Sequence, residues 1–213
     1  MFRHSGAGSE RFLPILTGFG GNPNDPVVTG ALPFTSCLKS GESLNFARVG
    51  LVFHIVRGTR GFWMSIETEI QFACKLVKLS KKMIQEVVAR IAADYGWEEG
   101  EISIAVVDDA EIHRVNRDYL SHDYPTDVIS FDTTESDDLL EGEVIASAQT
   151  AARVASENGW KSEDELLLYI IHGMLHVIGL DDTTALQSKK MREAERYYVQ
   201  EFLGDTAVCN EAR

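Results

Sequence analysis

Cysteine and cationic side chains are the two residue classes this 213-residue chain is short of. Its three cysteines, Cys37, Cys74 and Cys209, are scattered and never form a C-x-x-C pair. That excludes a disulfide framework and a cysteine zinc site, and it suits a reducing compartment. Lysine and arginine number 20 against 33 aspartates and glutamates. The deficit lies after residue 63, where 14 cationic residues meet 30 acidic ones, a formal charge of 14 minus 30, or −16. Domains that grip nucleic acid unaided are usually basic, so this balance argues against tight non-specific binding to a polyanion. Long apolar runs are missing too. No segment approaches the roughly 20 apolar residues needed to cross a bilayer, and the run at residues 49–56 is interrupted by Gly50 and His54. No secretory signal is recognisable before it, so no membrane is expected and the cytoplasm is the expected location.

Regular hydrophobic periodicity is absent from residues 1–63, which hold ten of the seventeen glycines and four of the five prolines. They read as an irregular or disordered leader. Met64 opens the patterned part of the chain, and one explanation is that translation starts there. Residues 64–213 then read as one domain.

Within it, strand and helix patterns alternate. Residues 66–76 alternate loosely as a strand, and Ser80 is placed to cap a helix carrying Met83, Ile84, Val87, Val88, Ile91 and Ala92 on one stripe. Residues 102–107 form a second strand pattern, and Asp109 is placed to cap the helix after it. Residues 127–132 and 143–147 read as two more strands, followed by a helix over about 148–157 closed by Gly159. Ser162 and Glu165 have capping-box spacing ahead of the next helix. A last helix begins near Thr184 and turns Met191, Ala194, Tyr198 and Phe202 inward. The expected fold class is α+β: a single domain with a four-stranded mixed sheet and about five helices.

The chemistry concentrates in residues 169–182, Y-I-I-H-G-M-L-H-V-I-G-L-D-D. On a helix, His172 and His176 project from one face one turn apart, as a shared metal requires. Nine apolar residues between positions 166 and 178 surround them, so the metal site is expected on a buried helix. Two buried imidazoles without partners cost about 1–3 kcal/mol each. Gly179 is the residue type that ends a helix in the left-handed conformation. Asp182, three residues on, can then return to the histidines, with Asp181 as a rival. H-x-x-x-H-x-x-G-x-x-D offers two nitrogens and a carboxylate, a set suited to one zinc with its fourth position open to water.

Three stretches carry a family likeness. N-R-D-Y-L-S-H-D-Y-P-T-D-V-I-S-F at residues 116–131, G-E-V-I-A-S at 142–147 and H-G-M-L-H-V-I-G-L-D-D at 172–182 together resemble the YbeY family of bacterial endoribonucleases and rRNA maturation factors. The likeness spans about residues 64–204. It implies one α+β domain, one zinc, and hydrolysis of single-stranded RNA during small-subunit rRNA 3′ end maturation and ribosome quality control. Single-stranded RNA and the small ribosomal subunit are the implied partners. Two positions depart from the family pattern. Its usual third ligand is histidine, where this chain has Asp182, and the arginine many members carry in the first motif is replaced by Leu120. Arg117, one helical turn earlier, is the substitute candidate for a phosphate contact.

Given the acidic balance, RNA binding would require a local basic patch, with Lys75, Lys78, Lys81 and Lys82 as candidates, or a partner that delivers the RNA. Pro125, Thr126 and Asp127 read either as the turn into a strand or as support for the site, and His113 and His122 read as surface residues. Two other functions compete. A ribosome-assembly factor with a structural metal is compatible with Leu120. A metalloprotease shares the histidine spacing but needs a glutamate directly after the first histidine, where Gly173 stands.

Overall fold

A computed structural model describes residues 15–17 and 66–204. The chain divides into two units, residues 1–19 with 64–213, and residues 20–63. The second lies outside the described residues, as does most of the expected leader. Within that leader, Ile15–Thr17 (β1) form a strand.

The four expected strands are Ile66–Phe72 (β2), Gly100–Val107 (β3), Val128–Asp132 (β4) and Leu140–Ser147 (β5). They join β1 in a mixed sheet of order β1-β4-β5-β3-β2. Strands β2, β3 and β5 run parallel, while β4 pairs antiparallel with β5 and with β1. The five helices are Lys81–Asp94 (α1), Asp109–Leu120 (α2), Ala148–Asn158 (α3), Ser162–Val177 (α4) and Ala185–Leu203 (α5).

The strand expected over residues 66–76 stops at Phe72 because the amides of Ala73 and Cys74 both turn onto the Val106 carbonyl, at 2.9 and 3.0 Å. Helix starts also differ from their sequence signals. Asp108 caps α2, its Oδ1 accepting from the Glu111 amide at 2.8 Å. Asp109 sits inside the first turn, where its carboxylate accepts from Ser147 Oγ and Thr150 Oγ1 and ties α2 to α3. Ser80 is the N-cap residue of α1 but makes no side-chain cap bond. The Ser162–Glu165 capping box does not form: Lys161 is the N-cap residue of α4, which puts Ser162 already on the helix. The capping box that does form joins Thr184 and Gln187 at the start of α5.

One main core packs Ile102, Ile104 and Val106 of β3 and Leu140, Val144 and Ala146 of β5 against α1, α4 and α5. On the other sheet face α2 buries Ile112 and Val115. Helix α4 is buried without a break from Glu165 to Val177, so its pattern carries no outward stripe. Two glycines bring it against the sheet. A Cβ on Gly173 would meet Val144 Cγ1 at 2.6 Å, and a Cβ on Gly142 of β5 would meet Val177 Cγ1 at 2.4 Å. Each glycine gives room to a valine on the opposite element, so the close helix-sheet approach depends on both.

Candidate metal centre

With Gly173 and Val177 turned to the sheet, His172 and His176 lie one position round the helix from each. Both rings are 1% exposed. Their centroids are 4.6 Å apart with planes at 80°, and the two Nε2 atoms face each other at 3.0 Å.

The end of α4 builds the rest of the site. Gly179 takes φ +96°, its amide bonding the His176 carbonyl at 2.8 Å while the Leu180 amide returns to Leu175 O at 2.9 Å. That reversal places the Leu180 carbonyl 2.9 Å from His176 Nδ1. The two following aspartates divide the work. Asp181 accepts from the amides of Asp182 and Thr183, from Thr183 Oγ1 and from Gln187 Nε2, and so holds the loop. Asp182 goes to the histidines, and one ligand atom from each of His172, His176 and Asp182 lies within 4.8 Å of the others.

Helix α5 supplies a group the sequence reading did not single out. Glu195, 7% exposed, hydrogen-bonds His172 Nδ1. Its signal was a charged residue in line with Met191 and Tyr198 on the inward stripe, where an unpartnered carboxylate is costly. The Leu180 carbonyl had no signal, because any residue carries one.

These contacts are short of a proton. Carbonyls and ionised carboxylates only accept, so the contacts to Glu195, to Leu180 and between the rings need three protons, while two neutral imidazoles carry two. Either an added proton or a metal cation must supply the remaining positive charge. Burial first, then the neighbouring His172, pushes the pKa of His176 down to about 4, which disfavours the added ring proton near neutral pH. Zinc fits the gap: two nitrogens bound at about 2.0–2.1 Å in a tetrahedron stand roughly 3.3 Å apart. The Asp182 carboxyl is raised above its ordinary range, by burial first, with His172 opposing and Asp181 and Glu195 adding. A cation beside it would act in the ionised form's favour.

The motif likeness is matched over residues 65–206, the stretch that fits the family model described as Endoribonuclease YbeY. The chain belongs to the YbeY family. It is 41% identical over 131 residues to Endoribonuclease YbeY of Rhodopirellula baltica, covering 61% of this chain and 66% of that relative. It is 41% identical over 129 residues to the protein of the same name from Syntrophotalea carbinolica, covering 56% and 86% of the two chains. The solution structure of TM1509 from Thermotoga maritima matches with a TM-score of 0.50 at 28% identity, over 65% of this chain and 91% of that one.

The other residues singled out in the sequence of this YbeY chain fall into plainer roles. Arg117 is exposed on α2 and its Nε donates to Asp118 Oδ1 at 3.1 Å. Lys81 Nζ donates to the Ile70 carbonyl at 2.7 Å and Lys82 pairs with Glu86 at 3.3 Å, so two of the four candidate patch lysines are engaged locally. Asp127 is buried, its Oδ1 accepting from the Val128 amide and Thr126 Oγ1, both at 2.9 Å, which forms the turn into β4. His122, expected on the surface, is half-buried because its ring stacks on Tyr124 at 5.5 Å. His113 is held by Asp123 at 2.9 Å. Gly173 faces the sheet, where a Cβ has no room. The glutamate that a metalloprotease needs at this position would not fit, which removes that reading.

Proposed function

We propose that this YbeY chain is a zinc-dependent, single-strand-specific endoribonuclease acting in small-subunit rRNA 3′ end maturation and ribosome quality control in the cytoplasm. The observation that carries it is the pair of buried imidazoles presenting Nε2 to Nε2 at 3.0 Å with Asp182 beside them. His172, His176 and Asp182 would hold the ion. Bound there, it supplies Lewis acidity toward a phosphodiester and toward water. The Leu180 carbonyl and the Glu195 carboxylate hold the Nδ1 sides of the rings, which leaves the Nε2 sides for coordination. Apolar α4 residues surround the rings and keep both buried.

Leu120 and the Asp118-bound Arg117 favour one second reading, a ribosome-assembly factor whose metal is structural. The test is metal analysis of the purified full chain together with cleavage of a single-stranded RNA and its duplex. Stoichiometric zinc, and single-strand cleavage lost in His172→Ala and His176→Ala, supports the nuclease. Stoichiometric zinc with intact RNA and retained binding to small subunits supports the assembly factor. Protein that takes up no zinc refutes both.

A further inference from the structure

Glu195 is the group in this molecule whose position is hardest to account for by folding alone. It stands on the stripe of α5 that packs into the core, with Met191 and Tyr198 buried 1% and 3% exposed on either side. An apolar residue there would bury more favourably than a carboxylate. Its carboxylate nevertheless reaches across to α4 and bonds His172 Nδ1. With an ionised carboxylate as the partner, this bond assigns the hydrogen to one ring nitrogen. An ionised carboxylate accepts only, so Nδ1 carries the proton and Nε2 presents its lone pair toward His176. The His176 ring gets the same instruction from a backbone carbonyl at 2.9 Å, which substitution cannot remove. Only His172 depends on a side chain.

We propose that Glu195 is a positioning residue of the metal centre: it locks His172 in the Nδ1-protonated tautomer and, through that ring alone, sets the affinity for the ion. This rests on the metal reading of His172, His176 and Asp182. Glutamine at this position keeps the shape and an acceptor, yet its amide can also rotate to donate to Nδ1, which permits the tautomer whose Nε2 cannot ligate. Removing such a carboxylate behind a ligating histidine costs about 10–100-fold in metal affinity.

The test is zinc dissociation measured against a competing chelator on the full chain, with the melting temperature of the zinc-free protein recorded alongside. Glu195→Gln is expected to bind zinc about 10–100-fold more weakly than the parent while the zinc-free melting temperature is retained or raised, because a buried charge has gone. A merely structural glutamate would lower the melting temperature and leave affinity in the folded protein unchanged. Specificity for one ring is read in two backgrounds. In His176→Ala the Glu195→Gln loss should persist, and in His172→Ala it should vanish. Glu195→Asp, which keeps the charge but withdraws it by one methylene, should lose affinity too and serves if the glutamine variant does not fold. Parent-like affinity in both variants, or an equal loss in the His172→Ala background, overturns the proposal while the metal reading stands. A parent chain that binds no zinc overturns both.

Discussion

Glutamine in place of Glu143 should make this protein more stable at pH 8 and leave it unchanged near pH 4. Glu143 lies on β5 with Phe131 of β4 and Ser103 of β3 as its cross-strand neighbours. Side chains paired in this way share one face of the sheet. The phenyl ring, packed edge-on to Tyr119 at 6.2 Å, lies on that face beside Glu143. Oε2 is buried with no hydrogen-bond partner among the described residues. Burial accordingly raises the pKa from 4.5 to about 7. At about 1.4 kcal/mol per pH unit, that displacement corresponds to about 3 kcal/mol. The sign follows from which state binds the proton more tightly. The folded protein does, so the cost of ionisation is absent below pH 4.5, grows between 4.5 and 7, and is constant above. Glutamine resembles the protonated form and escapes it. Urea unfolding of zinc-free parent and variant at pH 4 and pH 8 measures the difference directly. A gain of about 3 kcal/mol at pH 8, worth about 6–12 °C in melting temperature for a chain of this size, that disappears at pH 4 is the expected result. An equal change at both pH values, or none at pH 8, would falsify the desolvation account.

Three further outcomes follow from the same structure. Gly173→Ala puts a methyl 2.6 Å from Val144 Cγ1; it should destabilise by about 1–3 kcal/mol in chemical denaturation and weaken zinc binding, since α4 carries both histidines. Thr184→Ala removes the cap on the Gln187 amide and should cost about 1 kcal/mol, with faster amide exchange confined to the first turn of α5. Asp182→His exchanges an anionic ligand for a neutral one, so the rise of RNA cleavage with pH should move to lower pH. A profile that stays in place would argue that Asp182 does not ligate.

Much of the layout was legible because it is local. Alternation marked β2, and a 3.6-residue stripe marked α1. The spacing of His172, His176, Gly179 and Asp182 marked the site, since i, i+4 geometry and a left-handed glycine depend on few neighbours. Helix starts were less legible. Asp108 and Asp109 are both good caps, and Asp109 is taken up by Ser147 and Thr150 on neighbouring elements, while Lys161 displaced Ser162 by one position. His122 was misjudged for a similar reason: its burial comes from Tyr124, and polarity in sequence does not reveal a stacked ring.

By itself the sequence determined that two imidazoles and a carboxylate come within reach of one another, since a single helix and the turn that ends it carry all three. Only the tertiary structure decided which strands are neighbours, that Glu195 stands behind His172, that Gly173 faces the sheet, and that Glu143 Oε2 is buried without a partner among the described residues. Each of these depends on chain segments far apart in sequence being packed together, and the desolvation and proton sharing that give the residues their chemistry arise only at those contacts.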